Sequence, residues 1–165
     1  ARALRQLLNV PEAQITEMAE KLAEEKRQLE KEVQSLRSKA ALEGISELVA
    51  QAEEVEGVSV LAREIEADSA DTLRNIGHSV REQISSGIAW LAATMDEKST
   101  LLCVVSDDLI KRGIKAGDMV NEVAQLADGR GGGKSNIAQA GIKAPEKLPG
   151  ALAAATKIVR EKLAN

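Results

Sequence analysis

Ile15, Leu22, Leu29 and Leu36 recur every seven residues, with Met18 and Val33 close beside that stripe. Around them, from Pro11 to about Glu56, the chain is dense in Ala, Leu, Glu, Lys, Arg and Gln, all good helix formers. Seven-residue spacing on a helix makes a narrow coiled-coil-like seam, and a single long helix cannot bury such a seam against itself. It needs a partner: a preceding helix, a second subunit or a neighbouring domain. Glu25 and Glu32 stand where a strong seam would carry leucine, so the coil is expected to be imperfect. Gly44 is a weak point, costing about 1 kcal/mol relative to Ala. Residues 1–8 read as the tail of an earlier helix, interrupted at Asn9-Val10-Pro11, and Pro11 suits the first turn of the next. Residues 1–56 are therefore expected to form a helical arm and a candidate for dimerisation.

The periodicity changes at Val58. Val58-Ser59-Val60-Leu61-Ala62 reads as a strand, and Asp68-Ser69-Ala70-Asp71 opens a helix with Leu73, Ile76, Val80 and Ile84 at helical spacing. Residues 88–94 and 101–105 form a strand pair around the polar turn Asp96-Glu97-Lys98-Ser99. A helix over about 116–126 leads into a glycine-rich loop. Ala138-Gln139-Ala140-Gly141 reads as an edge strand, and Pro145 and Pro149 introduce a final helix over about 150–163. Residues 57–165 thus predict a compact α+β (mixed α/β) domain with a small sheet of three or four strands and about three helices.

Composition narrows the functional classes. The chain has 165 residues and is 44% hydrophobic, but contains one Trp and neither Phe nor Tyr, so its core must be built from Ala, Val, Leu and Ile. It also lacks the aromatic platforms on which many single-strand binders stack bases. The single Cys103 excludes an internal disulfide framework and fits a reducing compartment, the cytoplasm or an organellar matrix or stroma. No apolar run is long enough to span a membrane. The chain opens on Ala1 without a signal-like segment and reads as part of a longer protein. Its net charge of −4 conceals an asymmetry: residues 111–165 carry 10 basic against 5 acidic groups. A locally basic third favours an anionic partner docking there.

No metal or catalytic constellation emerges. The one His and one Cys lie 25 positions apart, and no acidic cluster has ligand spacing. His78 sits one step off an apolar helical stripe, and Cys103 sits mid-strand among Leu and Val, where it reads as a small buried hydrophobe. No catalytic residue and no metal ligand is expected.

The segment Asp128-Gly129-Arg130-Gly131-Gly132-Gly133-Lys134-Ser135 invites comparison with phosphate loops. A Walker A loop would need glycine at 128, which is Asp, and would follow a strand rather than a helix. The dinucleotide fingerprint would need glycine at 134, which is Lys. Phosphate-backbone recognition survives both tests. Unblocked backbone N–H groups combine with Arg130 and Lys134, and with Lys111, Arg112, Lys115 and Lys143 as surrounding charges. Without aromatics, such a surface suits the shape of a structured RNA.

The order Asp-Gly-Arg-Gly-Gly-Gly-Lys-x-x-x-Ala-Gln-Ala-Gly, preceded by Gly113-Ile114-Lys115-Ala116-Gly117, resembles the C-terminal domain of alanyl-tRNA synthetases. A domain of the same type accompanies DHH-family phosphoesterases and single-strand exonucleases. The resemblance covers about residues 58–163, and the upstream helix is similar to the linker before that domain. Gly129, Arg130, Gly131, Gly132, Gly133, Lys134, Ala138, Gln139 and Gly141 match the signature, and Ile142 departs from it where another glycine is frequent. The resemblance implies a non-catalytic module that grips the outer corner of tRNA, with tRNA(Ala) as partner, and an arm that supports a homodimer. ATP, and zinc in an editing domain, would belong to other parts of the parent ligase, and no cofactor to this segment. Two alternatives stand beside it: a single-stranded nucleic-acid domain of a DHH-type nuclease, and a purely structural dimerisation module. The glycine motif itself has two readings, contact with RNA or tight packing of the backbone.

Overall fold

In the computed structural model, which describes residues 12–165, helix α1 runs without interruption over Glu12–Ala50. Residues 1–8 and Asn9-Val10-Pro11, expected as a helix tail and a break, lie outside the described residues. The chain divides into two units, Ala1–Glu43 and Gly44–Asn165. Within the first, Leu22, Leu29 and Leu36 are 56%, 60% and 64% exposed, Val33 is 45% exposed, and Ile15 and Met18 are half-buried. Ion pairs of Lys26 with Glu30 (3.7 Å) and Arg27 with Glu24 (3.3 Å) run along the same helix. Such exposed pairs contribute little.

The second unit takes in the last turns of α1, where Ile45 is buried with Leu73, Val80 and Leu91. Glu53–Val55 is a strand, β1, where the sequence reading carries the helix to 56. A hairpin through Glu56 and Gly57, both with positive φ (51° and 81°), joins it to β2 (Val58–Glu64). That is the backbone hand that suits a two-residue turn. Helix α2 (Ala70–Gln83) follows, its first turn capped by Ser69 Oγ, which accepts from the Thr72 N–H at 3.1 Å. It crosses over to β3 (Gly87–Met95), which pairs parallel with β2. Asp96 and Glu97, again with positive φ, turn β3 into antiparallel β4 (Lys98–Val105).

A short helix α3 (Asp107–Lys111) and helix α4 (Ala116–Gln125) lead to β5 (Arg130–Gly133) and β6 (Ile137–Ile142). Among the described residues six strands form one sheet in the order β1-β2-β3-β4-β6-β5. Four expectations are corrected here. The glycine run is a strand rather than a loop, and it forms the sheet edge, so Ala138–Gly141 lies one strand inward. With β1 and β5 added, the sheet has six strands rather than three or four. The final helix is also broken: a 3₁₀ turn (Pro145–Lys147), α5 (Leu148–Ala153) and α6 (Ala155–Leu163) replace one continuous element.

Each face of the sheet has its own core. Helix α2 covers Leu102, Val104, Leu91 and Ala93 on one side. Helices α4, α5 and α6 cover the other, around Trp90, whose indole N–H donates to the Met119 carbonyl at 3.2 Å. Ala116, Ala124, Ala138, Ala140 and Ala155 belong to the same core. Small side chains let helices approach the sheet closely, which is how a core with one aromatic reaches close packing.

Candidate nucleic-acid interface

The register of β6 with its neighbours sorts the glycine motif into two faces. Arg130 pairs with Gly141, Gly131 with Ala140, Gly132 with Gln139 and Gly133 with Ala138. Ala138, Ala140 and Ile142 belong to the core under α4, so Gly131 and Gly133 face inward with them. Arg130, Gly132, Gln139 and Gly141 share the opposite face with Thr100 and Leu102, their partners across β6 and β4.

The inward glycines leave no room for a side chain. A Cβ at Gly131 would overlap the Gln139 carbonyl and the Ala140 backbone, and one at Gly133 would stand 2.6 Å from Ala138 Cα. At Gly129, buried before the strand, a Cβ would meet the Gly141 carbonyl at 2.6 Å. These three glycines permit close packing. Gly132 and Gly141 differ, because nothing lies within 4 Å of a Cβ placed on either. No packing demand accounts for them.

Helix α2 packs mainly over β3 and β4 and reaches β6 at Ile137, which joins its core, leaving Arg130, Gly132 and Gly141 exposed on that face. The result is a strip of bare sheet with cations around it. Arg130 is exposed on β5, and Lys98 lies on the same face of β4, two residues before Thr100, roughly 7 Å along the strand. Lys143 follows β6 directly, at the position that would face Lys98 if the pairing of Ser99 with Ile142 ran on by one residue. From α2, Arg74 donates through Nη2 to Gln139 Oε1 at 3.4 Å and approaches Asp71 at 3.6 Å. The sequence reading names Arg130, Gln139 and Lys143 but misses Arg74 and Lys98. Strand pairing brings Lys98 to the glycine motif, and the packing of α2 on the sheet brings Arg74.

The remaining predicted cations gather elsewhere. The β5–β6 turn is closed by the Lys134 N–H donating to the Ile137 carbonyl at 2.9 Å. The Ala116 N–H donates to the Ser135 carbonyl (2.8 Å), and the Val105 N–H to that of Asn136 (3.0 Å). Lys115 and Lys134 therefore flank this turn, with Lys111 and Arg112 on the chain leading to it, all exposed. Arg130 and Lys134, close together in sequence, stand at opposite ends of β5. The α3 end is fixed by Ser106 Oγ, which accepts from the Gly87 N–H at 2.9 Å and donates to Asp108 at 2.5 Å. Hydrogen bonds from Ser106 and then Ser86 hold the Asp108 carboxyl below its ordinary range. Arg81 bonds the Val105 carbonyl at 2.8 Å and pairs with Asp107.

Asp128 opens the motif with a left-handed φ of 53° and pairs with Lys147 at 2.6 Å. That hydrogen-bonded pairing raises the lysine above its ordinary value. Cys103 is buried in the sheet, and burial pushes its thiol well up, away from nucleophilic chemistry. Among the described residues no three His, Cys, Asp or Glu side chains cluster in a way that holds a metal ion, and no helix is long and apolar enough to cross a membrane.

Residues 57–161 match the family model of the DHHA1 domain. The chain is similar to the alanine–tRNA ligase of Chloroflexus aurantiacus, with 40% identity over 162 residues, 96% of this chain and 18% of the relative. It is similar also to that of Alkaliphilus metalliredigens, with 36% identity over 160 residues, 97% of this chain and 18% of the relative. It therefore spans under a fifth of the length of these curated relatives. Among solved structures, the C-Ala domain from Aquifex aeolicus alanyl-tRNA synthetase superposes with a TM-score of 0.59 at 27% identity. That match covers 70% of this chain and 99% of that one.

Proposed function

The chain belongs to the DHHA1 domain family, and from that membership we propose that it is the tRNA-binding C-terminal portion of an alanine–tRNA ligase. In this reading it carries no catalytic step. It grips the outer corner of folded tRNA(Ala) and helps present the RNA to aminoacylation and editing sites elsewhere in the parent enzyme, where ATP and zinc would act. The observation that carries the reading is the uncovered strip of sheet at Gly132 and Gly141, edged by Arg130, Lys98 and Lys143. Bare backbone lets a large rigid partner approach closely, and the cations neutralise phosphates at its rim.

Titration of the 165-residue chain with folded tRNA(Ala) tests this. Binding is expected in the micromolar range or weaker, falling steeply as salt rises because phosphate contacts release counterions. In a footprint, protection is expected at the corner. Preference for an unstructured oligonucleotide would favour a single-stranded nucleic-acid domain of the DHH-nuclease kind. Protection confined to the acceptor end would contradict the corner.

A second role rests on a separate observation. Leu22, Leu29 and Leu36 are more than half exposed along α1, an apolar seam that a second copy of the helix would cover. Sedimentation of the chain should show a dimer that Leu22→Ala, Leu29→Ala and Leu36→Ala together convert to monomer. A monomer in both cases removes the arm from self-association. Substitution is preferable to removing 1–56, since Ile45 and β1 belong to the second unit.

A further inference from the structure

We infer that Asn121 is a positioning residue for RNA binding: it clamps the glycine strand to α4 and so fixes where Arg130 and Gly132 are presented on the open face. The inference rests on the RNA-binding reading above. It arises from a question any edge strand poses, namely where its outward backbone groups go. On β5 and the residue before it, Gly129 and Gly131 turn their N–H groups away from β6. The Gly129 N–H donates to the Ala124 carbonyl at 2.8 Å. The Gly131 N–H donates to Asn121 Oδ1 at 3.0 Å. Gly133 lies against Gly117, where a Cβ on Gly117 would come within 3.3 Å of the Gly133 carbonyl oxygen. Residues 117, 121 and 124 form one stripe along α4, at the spacing that lines up along a helix face.

Two of the three contacts are made by α4 backbone. Asn121 alone acts through a side chain, and its orientation is set from within the helix. Asn121 Nδ2 donates to the Gly117 carbonyl at 3.0 Å, which leaves Oδ1 facing the strand as acceptor. The reverse orientation would set an NH2 against an N–H. A strand of consecutive glycines has no side chains to anchor it and the largest backbone freedom to lose, so each such tie counts. Asn121 itself is on α4, its side chain bonded to Gly117 and Gly131 rather than placed on the face that carries Arg130 and Gly132.

Positioning and contact separate experimentally. Asn121→Ala in the full chain should weaken tRNA binding roughly tenfold, the equilibrium worth of one backbone-closing hydrogen bond. The slope of log affinity against log salt should stay unchanged, because every phosphate-binding cation is still in place. Asn121→Leu, which keeps the bulk without the acceptor, should behave alike and guards against a cavity effect. Amide exchange at Gly131 should quicken in both, with β3 and β4 amides as protected as before. Affinity within twofold of wild type in the Ala and Leu variants overturns the role, as does unchanged Gly131 exchange. A wild-type chain that binds no tRNA overturns the functional reading instead, and Gly131 exchange still decides whether Asn121 holds the strand.

Discussion

Gly131→Ala is expected to lower stability by about 3 kcal/mol, the upper part of the usual range for overpacking, because its Cβ would meet backbone that cannot swing aside. For a unit of this size that lowers the melting temperature by roughly 10 °C. Gly132→Ala, one residue away, should leave stability within about 0.5 kcal/mol of wild type, since its Cβ enters open space and alanine loses less freedom in a strand. The order should reverse in RNA binding measured on folded protein: the Gly132 methyl projects from the open face, where a close partner must meet it. Calorimetry and tRNA titration on the same two variants separate the motif's two roles. Equal stability of both variants would remove the packing argument, and full tRNA affinity in Gly132→Ala would remove the open face from the interface.

Much of the fold was legible because side-chain patterning reports it. Val58–Glu64, the two strands around Asp96-Glu97, the Ser69-capped helix and the helix beginning at Ala116 all carry an apolar period or a turn signature. Strand β5 carries neither. Glycines show no hydropathy alternation, so nothing distinguishes a glycine strand from a glycine loop until Ala138, Gln139 and Ala140 are seen pairing with it. Strand β1 was hidden for a different reason: three residues, two of them Glu, continue the composition of the helix before them.

The candidate site was half legible for a related reason. Composition points to a basic C-terminal third, but a face is a property of register. Lys98 and Arg130 lie 32 positions apart and come together only because β4 pairs with β6 and β6 with β5. Arg130 and Lys134, at the two ends of the glycine block in sequence, flank opposite ends of the strand that the block forms.

That separation sets up the second large effect. Replacing Arg130, Lys98 and Lys143 together by Ala is expected to weaken tRNA binding roughly a hundredfold at low salt. It should also reduce the salt slope by about 2–3 units, near one for each phosphate no longer neutralised. Replacing Lys111, Arg112, Lys115 and Lys134 removes more charge, all of it from the basic C-terminal third, and should cost less than about fivefold, as expected of charges acting through long-range attraction alone. Net charge cannot produce that ranking, because the larger charge change has the smaller effect. Only geometry produces it: the first set borders the strip where Gly132 and Gly141 give up side chains without any packing reason, and the second surrounds a turn already tied to Ala116 and Val105. The opposite ranking would move the interface to the hairpin tip and leave Gly132 and Gly141 without a role. Equal losses that track charge alone would reduce the surface to a nonspecific polyanion patch, with no selectivity for folded tRNA over any other nucleic acid.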